Sequence, residues 1–223
     1  MLTERDCKMD EKKTAELGAL ETYGVVLTLT EELLGAASAN PDLYKDFIAS
    51  KAPEPEKAAA EVNTLPPLDV DAEVEKSSTV FHRTADDGTP FLYDYCIKGF
   101  FKDVCGALRR VPAMKSSKLT AFKKVIDGLI FPEPRQIILE LPEGGEMGIC
   151  ERPLLAQTAK GPRVTLARSE TVPTGTILHF NLVLLQASLL PTVREWLAYG
   201  RFKGLGQWRN SGKGKFTYTL DGK

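Results

Sequence analysis

The sequence predicts an α+β fold with a ferredoxin-like (RRM-like) βαββαβ core and one insertion between the first strand and the first core helix. Three observations predict it. Periodic segments follow the order strand, insertion, helix, several strands, helix, strand. The length of 223 residues, 43% hydrophobic and 26% charged, suits one globular domain over 1–223. The stretch from Ala52 to Ser78 is rich in Ala, Pro and Glu with few large apolar residues, which sets 51–80 apart as an acidic inserted loop or lid.

The elements follow in order. Tyr23, Val25, Leu27 and Leu29 alternate with Gly24, Val26, Thr28 and Thr30. This predicts a strand, and Val26 predicts burial on both faces. Leu43, Phe47 and Ile48, opened by Asn40-Pro41, predict a short helix. Asp86-Asp87-Gly88 is a turn signal before Phe91 and Leu92. Ile97, Phe100, Phe101, Val104, Cys105 and Leu108 then make one continuous apolar helical face, with Asp94 as the expected N-cap. A second helix carries Leu119, Phe122, Val125, Ile126 and Leu129, and Phe131-Pro132-Glu133-Pro134 is expected to stop it. Strands are expected at about 136–141, 149–157 and 163–170, punctuated by Glu143-Gly144-Gly145 and Lys160-Gly161-Pro162. Ile177 to Leu185 is a strong strand with His179 and Asn181 on one side. Val193, Trp196 and Leu197 mark a helix after Pro191, and Phe216, Tyr218 and Leu220 alternate as a last strand.

Composition excludes several classes. The start, MLTERDCKMDEKKT, has no apolar h-region and predicts no signal peptide, and no run of 18 apolar residues predicts a membrane span. Four cysteines without a CxxC pair, and two histidines, argue against a zinc site and for a reducing cytoplasm. No cofactor or metal is expected: the P-loop, HExxH and GxSxG patterns are missing. The net charge is −1, but the signs are segregated. Acids dominate 51–76, while 98–124 holds eight cations against Asp103 alone. Basic blocks inside a neutral total are compatible with a nucleic-acid partner, and equally with solvated helix faces.

The basic residues gather on four features. Gly204, Gly206, Gly212 and Gly214 interleave with Lys203, Trp208, Arg209, Lys213 and Lys215. Glycines let backbone approach a phosphate and let amides form an anion nest, Trp208 can stack on a base, and Gln207 and Asn210 can bond base edges. The alternative is a tight connection with Trp208 as a core plug. Lys98 and Lys102 lie on the polar side of the first core helix, with Arg109 and Arg110 at its end. Lys115-Ser116-Ser117-Lys118 extends that patch or is a flexible link. Arg152 and Arg163 lie on a basic hairpin that either clamps RNA or guards a sheet edge. His82, expected in a loop, is a weak candidate for general acid–base catalysis, and His179 reads as a sheet histidine.

Three segments together resemble the RAMP superfamily, the repeat-associated proteins of CRISPR effector backbones and guide-RNA processing. They are FLYDYCIKGFFKDVCGALRR at 91–110, ETVPTGTILHFNLVLL at 170–185 and GLGQWRNSGKGKFTYTL at 204–220. The likeness covers about 90–220 and the strand at 23–30, with glycines more spread than in many members. It implies a RAMP fold and a non-catalytic protein on single-stranded RNA, assembling with copies of itself or other RAMP subunits, away from membranes. It also implies two alternatives: a metal-independent endoribonuclease, or a bacteriophage or prophage protein that uses the fold for protein contacts. The groove expected under the first reading is lined by Lys98, Lys102, Arg152, Arg163, Lys203, Trp208, Arg209 and Lys213.

Overall fold

The computed structural model describes residues 20–42, 61, 63–65, 78–158 and 161–222, with backbone alone at 154–158 and 162–165. Its central sheet is built from β1 (Glu21–Leu29), β7 (Ile130–Glu133), β11 (Ile177–Leu184) and β12 (Phe216–Gly222). The order across it is β12-β1-β11-β7, with every neighbouring pair antiparallel. Helix α1 (Asp94–Leu108) connects β1 to β7, and α3 (Leu190–Tyr199) connects β11 to β12. The period-2 alternation puts Val25, Leu27 and Leu29 on one face, in register with Phe180 and Leu178 of β11. That face meets Phe100, Phe101 and Val104 of α1 and Val193, Trp196 and Leu197 of α3, all buried. Phe101 packs on Trp196 at 5.3 Å between ring centroids, and Phe100 on Phe216 at 5.2 Å. Burying each such side chain contributes roughly 1.5–3 kcal/mol.

Several expectations are corrected. β1 is buried on one face only: Val26 is half-buried, and its neighbours His179 and Asn181 are exposed. Asp94 is the first residue of α1, not its cap; Tyr93 takes the extended cap position, and the Asp94 carboxylate faces the positive end of the helix dipole. The proline-containing run after α2 (Phe122–Leu129) does end that helix, but by becoming β7. Pro132 opposes Leu182 on an edge strand, where its missing N–H costs no ladder bond.

Two smaller sheets flank the core. One runs β2 (Leu33–Leu34), β10 (Gly161–Val172), β4 (Ser78–Val80), β3 (Ala37–Ser38), with β9 (Gly148–Thr158) along β10 as a long ribbon. The other runs β5 (His82–Arg83), β6 (Pro90–Tyr93), β8 (Gln136–Ile138). Glu170 of β10 joins them, accepting from the Phe81 amide at 2.8 Å and from Arg83 at 2.7 Å. The inserted segment leaves and returns through paired strands, Ala37 opposite Val80. The helix expected at 43–48 and most of 51–80 lie outside the described residues. No helix among the described residues is long and apolar enough to cross a membrane.

The link between α1 and α2 is ordered by a carboxylate. Glu195 of α3 accepts from the Lys115 amide at 2.6 Å, the Ser116 amide at 3.1 Å and the Ser116 hydroxyl at 2.5 Å. The Trp196 indole N–H donates to the same hydroxyl at 2.8 Å. Ser116 is fully buried, which pins the middle of the link, while Lys115 and Lys118 on either side are exposed. Glu195→Ala leaves two buried donors unpaired at about 1–3 kcal/mol each. Thermal melts are expected to show a Tm lower by roughly 5–15 °C; an unchanged Tm would mean that water replaces the carboxylate.

Candidate nucleic-acid interface

The loop from Gly200 to Lys215 is held by backbone contacts that only glycine allows. A Cβ on Gly204 would lie 2.1 Å from the carbonyl carbon of Gly214, and one on Gly206 would lie 2.5 Å from the Leu34 oxygen. The arms are tied by Leu205 N–H to Gly214 O at 2.9 Å and by Gly214 N–H to Glu32 O at 2.8 Å. Ser211 and Gly212 donate to Trp208 O and Arg209 O, both at 3.0 Å. These four amides are spent inside the protein, which leaves a phosphate nest to the loop's other amides. The loop also presents side chains.

Trp208 leads them. It adopts the left-handed conformation at φ 53° and is 40% exposed, so it is no core plug. The β9–β10 ribbon meets it from behind: the Arg152 guanidinium sits 4.8 Å from the indole centroid. Arg152 is itself 7% exposed and donates to Ser169 Oγ at 3.1 Å and to Gln207 Oε1 at 3.2 Å. Its Nε is buried and has no hydrogen-bond partner among the described residues. The hairpin and the glycine-rich loop, read separately from the sequence, form one junction.

On the other flank the loop lies over α1. Asp103 Oδ2 accepts from Arg209 at 2.7 Å and from Lys203 at 2.8 Å. Lys213 is paired with Glu32, and Lys102 with Asp127 at 2.5 Å. Beside these pairs opens a cavity of about 730 Å³, walled by Lys102, Asp103, Arg110, Phe122, Lys123 and Lys203. Gly99 and Gly106 form its floor. The cavity follows the helical stripe 99, 102, 103, 106, 110 on the side of α1 away from the core. Arg110 and Lys123 make no ion pair among the described residues.

No family model and no curated protein matches the chain. Among solved structures, a chain of the Type III-B Cmr-beta complex bound to cognate target RNA aligns with 98% of this chain at a TM-score of 0.51 and 9% identity. This chain spans 66% of that one's length. The likeness is one of fold alone. A chain of a Type IV-B CRISPR complex aligns with 89% of this chain and 90% of its own length, at a TM-score of 0.44 and 13% identity.

Within this fold the expected residues part into groups. Lys102, Lys203 and Arg209 converge on the cavity and its rim, and Arg152 joins Trp208. Lys98 does not line the cavity but shares Asp127 with Lys102, donating to Asp127 O at 3.2 Å with its ammonium 4.3 Å from the Phe131 ring centroid. Burial pulls its pKa below the usual lysine value. The Arg163 side chain lies outside the described residues, although its backbone is in β10. Sequence reasoning missed Phe122, Lys123 and the clamping role of Asp103. The signal was present as a second stripe on α1, opposite the apolar one.

His82 is the clear correction. It lies in β5 and not in a loop, 6% exposed, stacked on Phe91 and edge-on to Tyr93. The Thr64 hydroxyl lies 2.7 Å from Glu61 O, to which it donates, and 2.7 Å from His82 Nδ1. Glu61 is buried and ion-paired with Arg135. Within 51–80, Glu61 and Thr64 thus touch the domain, and Ser78–Val80 form β4 with Ser78 and Val80 buried. Burial also pushes the Cys96 thiol up to about 12, which does not suit a nucleophile.

Burial lowers the His82 pKa to about 4. The unfolded chain takes the proton near pH 6.5, while the folded one resists until about 4, so stability falls as pH drops through that window. The Tm of the unsubstituted protein is expected to fall more steeply between pH 7 and 4.5 than that of His82→Phe. Parallel curves would mean that His82 is solvated.

Proposed function

We propose that this protein is a non-catalytic, RNA-binding RAMP-like subunit with a ferredoxin-like core. Single-stranded RNA lies across the glycine-rich loop and the foot of the β9–β10 ribbon, and the chain assembles with copies of itself or with other RAMP subunits. One observation carries the reading: a partly exposed tryptophan, held in a strained conformation and backed by a buried arginine, stands beside Lys203, Arg209 and Lys213. A backed aromatic face with cations on its flank is a stacking platform next to a phosphate track. The strand order β12-β1-β11-β7 within a βαββαβ order supports the ferredoxin-like core. The neighbour described as bound to cognate target RNA supports RNA as the ligand.

The same reading takes 1–223 as one domain, with 51–80 as an acidic lid that docks through Glu61 and Thr64. A ribonuclease needs its acid or base within reach of the scissile phosphate. The burial of His82 behind Phe91 and Tyr93 favours binding over cleavage.

The test is fluorescence anisotropy on a single-stranded RNA across a salt series, with melts on the same samples. Trp208→Ala is expected to cost roughly 1–3 kcal/mol of binding and little stability. Arg209→Ala and Lys213→Ala are each expected to weaken binding and to reduce the salt slope by at most about 0.7. Unchanged affinity in all three folded variants would refute the reading.

A further inference from the structure

We infer that Asp103 is a built-in competitor for RNA phosphate, a carboxylate seated where a phosphate oxygen binds and setting the affinity of the groove. The inference rests on the RNA reading above and deepens it. One oxygen, Oδ2, receives both the Arg209 guanidinium and the Lys203 ammonium at 2.7 and 2.8 Å, from a helix to a loop. Two cations on one anionic oxygen is the arrangement a phosphate oxygen would take.

The three side chains remain 28–36% exposed. Water and ligand therefore reach the triad, and its bonds can be exchanged rather than broken in a dry core. Exposed pairs are individually weak, so a phosphate can displace the carboxylate. The cavity next to the triad supplies room for the displacing group, and Arg110 and Lys123, unpaired among the described residues, supply further charge. Asp103 is also the single acid in the basic block 98–124.

A consequence concerns salt. Where a cation reaches RNA by leaving a carboxylate, the freed carboxylate takes up a cation from solution. That uptake offsets part of the counterion release that normally drives binding. The unsubstituted protein then binds with a shallow salt dependence for the number of cations at its groove.

The experiment compares the unsubstituted protein, Asp103→Asn and a control of equal charge change, Asp86→Asn, on a 20-nucleotide single-stranded polyuridine. Asp103→Asn is expected to bind roughly 3- to 30-fold tighter, with a log–log salt slope steeper by about 0.7 for each further phosphate neutralised. Asp86→Asn, in the β5–β6 turn, is expected to change neither. Unchanged or weaker binding by a folded Asp103→Asn overturns the competitor role while RNA binding by the unsubstituted protein still stands. An equal gain from Asp86→Asn also overturns it, as a net-charge effect. Absence of binding by both proteins at low salt overturns the RNA reading and this inference with it. If Asp103→Asn melts lower, added RNA is expected to restore the Tm, because phosphate takes the vacated seat; no restoration makes Asp103 a structural pin.

Discussion

The rest of the structure depends on a close backbone approach at the end of the chain. Gly204 lies against Gly214, and Gly206 lies against the Leu34 carbonyl, at separations that no Cβ would permit. The contact welds the loop between α3 and β12 to the corner after β1, through Gly214 N–H to Glu32 O. It therefore fixes where α3 leaves the core and where β12 enters the sheet beside β1. It also forces residues 207–213 outward as a compact knuckle, which carries Trp208, Arg209 and Lys213 to the surface. Fold and site share one constraint: the amides of Leu205, Ser211, Gly212 and Gly214 serve structure, and the side chains of Trp208, Arg209 and Lys213 stand at the surface.

That division explains how a chain of net charge −1 can offer a polyanion a surface. Four of the cations at the interface are not bare. Lys102, Lys203, Arg209 and Lys213 each rest on a carboxylate from another element. Such pairs hold long side chains in place, which lowers the ordering cost of later RNA binding, and they quiet repulsion among the cations. They also weaken the field that steers a distant ligand. Arg152 is used differently. It is buried and bonded to Ser169 and Gln207, so it acts as the rigid back of the Trp208 platform.

Long periodic elements were legible in the sequence. The faces of α1 and α3, the alternation of β1, β11 and β12, and the β9–β10 ribbon all repeat their signal over several turns or pleats. β7 was not legible, because Pro132 and Pro134 read as a stop and only the edge position makes a proline strand tolerable. The strands β2 to β5 have two or three residues each, too few for any period, and exist because distant partners hold them. At the site, glycines, cations and the tryptophan lie within one short segment and could be seen together. Their acids could not: Asp103 stands 106 residues before Arg209, and Glu32 stands 181 before Lys213. His82 looked like a loop residue because its burial comes from the packing of Phe91, Tyr93 and Thr64 around it.

Ultraviolet crosslinking of the protein to single-stranded RNA, with the crosslinked peptides mapped by mass spectrometry, tests the central claim most directly. The account predicts crosslinks at Trp208 and in the peptides covering 202–215 and 148–153, suppressed by high salt. Crosslinks confined to the open sheet face around His179 and Asn181, or to the β5–β6 region, would contradict it.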